Sequence, residues 1–66
     1  MAKGRVKWFN ETRGYGFITN QDGEELYVHF TDIQARGYKT LVEGEEVEYE
    51  VKANEKGKQA TNVMKL

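Results

Sequence analysis

The chain has 66 residues, 38% of them hydrophobic, with 10 Lys and Arg against 11 Asp and Glu and a net charge of -1. A chain this short buries only about 60% of the surface its unfolded form exposes, so residues 1–66 are expected to form one domain around one core. With no Cys, no Ser and a single His, disulfide scaffolds, Cys or multi-His metal sites and serine or cysteine nucleophiles are excluded. No apolar run approaches the ~18 residues of a membrane span, and residues 1–7 hold no apolar stretch of signal-peptide length. The expectation is a cytoplasmic, non-enzymatic chain with no cofactor, no metal and no membrane partner.

No apolar pattern of helical period lasts even about ten residues; short alternating segments recur instead, separated by Gly and acidic turns at the roughly 8–12-residue spacing of a small barrel or sandwich. The first strand is expected over 3–10. Thr12-Arg13-Gly14 turns it into a second over 15–20. Gln21-Asp22-Gly23 supplies the Asp-Gly signal of a tight hairpin before a third strand over 26–30. Thr31-Asp32-Ile33-Gln34 suits a single helical turn capped by Thr31. Residues 35–45 are the long connection, and a loop of that length in so small a domain tends to be functional. A fourth strand is expected over 46–52, the turn Asn54-Glu55-Lys56-Gly57 follows, and a fifth strand runs over 59–66. Closing such a sheet into a barrel removes its exposed edges.

Side chains alternate across a strand. Val47, Tyr49 and Val51 therefore share one side of the fourth strand, and Glu46, Glu48 and Glu50 the other. In the second strand Gly16 and Ile18 face inward while Tyr15, Phe17 and Thr19 face outward. In the third, Leu26 and Val28 face inward and Tyr27 and His29 outward. Val6, Ile18, Leu26, Val28, Ile33, Val47, Val51 and Val63 suffice for a single core, which leaves a solvent-facing patch of rings, and such a patch marks a binding surface. Trp8 belongs on it. Val6 and Trp8 share parity, so a bulge or strong twist near Lys7 is needed to put one inside and the other outside. Residues 1–21 carry Lys3, Arg5, Lys7 and Arg13 against Glu11, a local charge of +3, whereas 43–50 carry five Glu and no base. Cations interleaved with exposed rings make a platform for single-stranded nucleic acid, with phosphates on the cations and bases on the rings.

Arg13-Gly14-Tyr15-Gly16-Phe17-Ile18 follows the RNP1 pattern, and Leu26-Tyr27-Val28-His29-Phe30 reads as an RNP2-like partner strand. In this reading each Gly clears space for a base to reach a neighbouring ring. Together with Lys7-Trp8-Phe9-Asn10, Gly37-Tyr38-Lys39-Thr40-Leu41 and Gln59-Ala60-Thr61-Asn62-Val63, these segments resemble bacterial cold-shock proteins and the cold-shock domain of Y-box proteins over the whole length. The resemblance implies an all-β, five-stranded antiparallel OB-fold barrel that binds single-stranded RNA and DNA and acts as a nucleic-acid chaperone. It implies that Lys7 meets phosphate, that Trp8, Phe17, Tyr27, His29, Phe30 and Tyr38 stack on bases, and that Arg13 and Tyr15 lie on the same surface. A monomer without a small-molecule substrate is expected. Tyr stands at 15, 27 and 38 where the family often has Phe, and Lys58 where it often has Pro. Whether Phe9, Lys56 and Lys58 touch nucleic acid stays open. The competing reading is a small-barrel peptide-binding module whose rings grip a polyproline ligand; it leaves the interleaved cations and the paired RNP segments unexplained.

Overall fold

The computed structural model describes residues 2–34 and 40–66. Five strands form a closed barrel: β1 (Ala2–Asn10), β2 (Tyr15–Asn20), β3 (Glu25–His29), β4 (Glu46–Asn54) and β5 (Gly57–Lys65), in the order β1-β2-β3-β5-β4. This is the five-stranded barrel expected. One seam departs from the antiparallel expectation: β3 and β5 pair in parallel at Tyr27 and Gln59, extended by a lone parallel bridge between Ile33 and Val63. The Gln34 N–H donates to the Val63 carbonyl at 2.7 Å, and two side-chain bonds add to the seam, Gln59 Nε2 donating to Asp32 Oδ2 at 2.7 Å and Gln34 Nε2 to Asn62 Oδ1 at 3.1 Å.

The turns follow from local chemistry. Asn20 Oδ1 accepts the backbone N–H groups of Asp22 and Glu24, which curls the chain around Gly23 at φ +86°. Asn54 Oδ1 likewise accepts from the Lys56 N–H before Gly57. After β3 the chain makes a 3-10 turn over Phe30–Asp32. Its cap is His29, whose side chain accepts from the Thr31 N–H; Thr31, the expected cap, lies inside the turn.

The inward faces of all five strands pack into one core. Val6, Ile18, Leu26, Val28, Ile33, Val47 and Val63 are buried as expected. Val51 is not: it is 50% exposed. Every residue from Glu50 to Lys58 is exposed, because the β4–β5 hairpin runs past the rim of the barrel. Tyr49, Ala60 and Leu41 complete the core in its stead. The Tyr49 hydroxyl donates to the Lys3 carbonyl at 3.4 Å, and burial, helped by the nearby Asp22 carboxylate, pushes its phenol above the usual tyrosine range.

Candidate nucleic-acid interface

The β1–β2 register slips by one residue between Val6 and Trp8: Val6 sits opposite Ile18 but Trp8 opposite Phe17. Lys7 is the extra residue of this bulge. The slip leaves Val6 in the core, Lys7 exposed and Trp8 half-buried on the outer surface, which resolves the parity conflict between Val6 and Trp8. Beyond the bulge Phe9 turns back under the sheet and packs against the core.

The β2–β3 register pairs Phe17 with Tyr27 and Tyr15 with His29. Adjacent strands therefore bring four rings into a closed circuit on the outer face. Trp8 lies 5.6 Å from Tyr15 and 5.3 Å from Phe17 between ring centroids; Tyr27 lies 6.1 Å from Tyr15 and 6.0 Å from Phe17. All four are half-buried, so each is held by its neighbours and still presents surface to solvent. His29 and Phe30 form a second pair at 4.6 Å. Thr31 Oγ1 lies 2.9 Å from His29 Nδ1, which holds the imidazole in place, and the Phe30 ring is 43% exposed.

The two motif glycines serve the chain itself. A Cβ on Gly16 would stand 2.3 Å from the Trp8 carbonyl oxygen and 2.7 Å from Phe9 Cα, and one on Gly14 would stand 2.7 Å from Phe30 Cδ1. Gly16 thus lets the β1 bulge lie against β2, and Gly14, at φ +78°, seats the Phe30 ring. Room for these internal contacts is a role for the two glycines beyond the expected one.

Arg13 is exposed on the β1–β2 turn, and among the described residues no carboxylate lies within ion-pair distance of it. Lys7 is paired with Glu25, and Lys58 approaches Glu24 at 3.4 Å. Between the rings and the overhanging β4–β5 hairpin runs an open cleft of about 720 Å³, lined by Phe17, Tyr27, Asn54, Glu55, Lys56, Gly57, Lys58 and Gln59. The structure thus brings Lys7, Trp8, Arg13, Tyr15, Phe17, Tyr27, His29 and Phe30 to neighbouring positions on β1–β3 and their turns. Tyr38 lies outside the described residues. Sequence reasoning missed Gln59 and Asn54 as polar groups of the cleft, Glu24 as the partner of its Lys58, and Glu25 as the partner of Lys7. Only the parallel register of Tyr27 and Gln59 discloses the first of these.

The family model for the "cold-shock" DNA-binding domain matches residues 2–66. The chain belongs to the cold-shock domain family. The cold shock protein CspB of Bacillus caldolyticus is 53% identical over 66 residues, covering all of both chains. The cold shock-like protein CspC of Bacillus cereus is 52% identical over 64 residues, covering 97% of this chain and 98% of that one. Among solved structures, Drosophila Unr CSD456 superposes with a TM-score of 0.74 at 26% identity; the match covers 98% of this chain and 26% of the longer Unr chain. Nucleic-acid binding is therefore the function of this cold-shock domain.

Proposed function

We propose that this cold-shock domain binds single-stranded RNA and DNA across the Trp8–Tyr15–Phe17–Tyr27 ring face and, without catalysis, opposes base-paired structure. The observation that carries this reading is the ring circuit itself: four mutually braced aromatics, each partly open to solvent, on the outer side of three adjacent strands. Bases stack on these rings and on His29 and Phe30, while Lys7 and Arg13 face the phosphates. Tyr38 belongs to the same proposal on resemblance alone. Stacking accepts every base, so sequence preference is weak, and one such fold covers about 4–16 nucleotides.

The chaperone action follows from mass action. A protein that binds the open strand and not the hairpin shifts the equilibrium by RT ln(1 + [protein]/Kd) per site, with no energy source. In this reading residues 1–66 act as a single domain, as a cytoplasmic monomer, with no cofactor, no small-molecule substrate and no membrane partner. Trp8 is the single tryptophan, so its fluorescence reports the site directly. Oligothymidine or oligouridine should quench it strongly, and the matching duplex, whose base faces are hidden, should bind far more weakly. Equal affinity for single strand and duplex would refute stacking on the ring face.

A further inference from the structure

Two consecutive carboxylates at the start of β3 occupy the cations that flank the rings. Glu25 takes the Lys7 ammonium. Lys7 sits in the β1 bulge and Glu25 opposite Thr19 of β2, so the pair spans the outer surface of β2 beside Phe17. Glu24 faces the Lys58 ammonium of β5 at 3.4 and 3.5 Å, and Lys58 also lines the cleft beside Phe17 and Tyr27. All four side chains are about half exposed, so a phosphate can reach either ammonium, where it meets a carboxylate of the chain already paired with it.

We propose that Glu24 and Glu25 compete with phosphate for Lys58 and Lys7, so that nucleic acid exchanges ion pairs at this face rather than adding them. The inference rests on the reading of the ring face as the single-strand site. Its consequence is selectivity. A polyanion that offers charge alone, such as a duplex, meets cations already taken, whereas a single strand still gains the rings. A carboxylate displaced from its lysine also stays beside the incoming phosphate and repels it.

The size of the effect follows from what an exposed ion pair is worth. Breaking one costs binding about two- to fivefold. The test is a double-mutant cycle read by Trp8 fluorescence with a short oligothymidine. Glu25→Gln keeps the side chain's size and removes its charge. It should tighten binding by about two- to fivefold in the otherwise native chain, and by well under twofold when Lys7 is already Gln. Glu43→Gln, in the loop before β4, makes the same change of net charge and should have no comparable effect. An equal gain from Glu25→Gln in both Lys7 backgrounds, or from Glu43→Gln, would overturn the competition and replace it with a general field effect. Weaker binding by Glu25→Gln would overturn it too, by making the carboxylate a contact of the ligand. In both cases the native chain still binds and the ring-face reading stands. A native chain that fails to bind oligothymidine removes the interface and the competition together.

Discussion

Gly16→Ala is the most direct test of how the ring face is built. Gly16 is buried, and an added methyl carbon would stand 2.3 Å from the Trp8 carbonyl oxygen, 2.7 Å from Phe9 Cα and 2.8 Å from Phe9 Cδ1. Real contacts of that kind stay beyond 3.0 Å, so β1 has to retreat from β2 at the bulge that carries Lys7 and Trp8. Two of the three obstacles are backbone atoms and cannot swing aside. Overpacking costs about 1–3 kcal/mol where side chains can adjust; here the upper end applies, about 3 kcal/mol. For a domain of this size about 1 kcal/mol moves Tm by about 4–8 °C, so a fall of at least ~12 °C is expected. Gly23→Ala is the control: at φ +86° the added carbon meets nothing within 4 Å, leaving only backbone strain of about 1–2 kcal/mol. The assay is thermal melting of both variants, with the Trp8 emission spectrum and oligothymidine titration recorded below the transition. Gly16→Ala should also shift the Trp8 spectrum and weaken binding among folded molecules. A Gly16→Ala chain within about 0.5 kcal/mol of the native stability, with an unchanged Trp8 spectrum, would refute the claim that this glycine sets the β1–β2 approach.

Three further outcomes are expected. Phe17→Ala should weaken oligothymidine binding by about 1–3 kcal/mol with a small change in melting, whereas Val28→Ala, in the core, should cost about 2 kcal/mol of stability and leave the affinity of folded molecules nearly unchanged. Titration at several salt concentrations should give a slope of log K against log salt of about -1.4 to -2.1, for two to three phosphates neutralised, and Phe17→Ala should lower affinity without altering that slope. Above about pH 10 the unfolded chain releases the Tyr49 proton more readily than the folded one, because burial raises the folded phenol's pKa. Stability should therefore be full below that pH and fall above it, and urea melts at rising pH should show a shallower fall for Tyr49→Phe.

Much of this was legible because alternation is a local property. The β2 boundaries, the inward and outward sets on β2 and β3, and even the bulge at Lys7 follow from side-chain parity and the conflict between Val6 and Trp8. What was not legible depends on where the barrel ends and which strands meet. Val51 continues the alternation of Val47 and Tyr49, but alternation carries no information about the rim, and β4 passes it. Leu41 lies in a connection with no period to read, yet it fills the core. The contacts of Gly14 and Gly16 are not legible in the sequence, because the atoms they accommodate, the Phe30 ring and the Trp8 carbonyl, become neighbours only after pairing. Glu25 stands 18 residues from Lys7 with a strand between them, so their meeting needed the β1–β2–β3 register. The cap belongs to His29 rather than Thr31 because the chain leaves β3 one residue earlier than its apolar run suggests.

The parallel seam gives the barrel an uneven resistance to opening. Long antiparallel ladders join β1 to β2 and β4 to β5, whereas β3 pairs with β5 at Tyr27 and Gln59, and among the described residues the seam continues through the Ile33–Val63 bridge, the Gln34–Val63 backbone bond and two side-chain bonds. Local opening free energies range from near zero up to the global value and are smallest where few contacts must break. Amide protons at this junction should therefore exchange before those of the ladders. The ring cleft borders the same junction, with Tyr27 on one bank and Gln59 on the other. If the proposed interface is right, an oligonucleotide lying in the cleft would touch both banks and suppress their separation, so that occupancy and breathing would oppose each other along one line and the residence time of the ligand would be tied to how often that line parts.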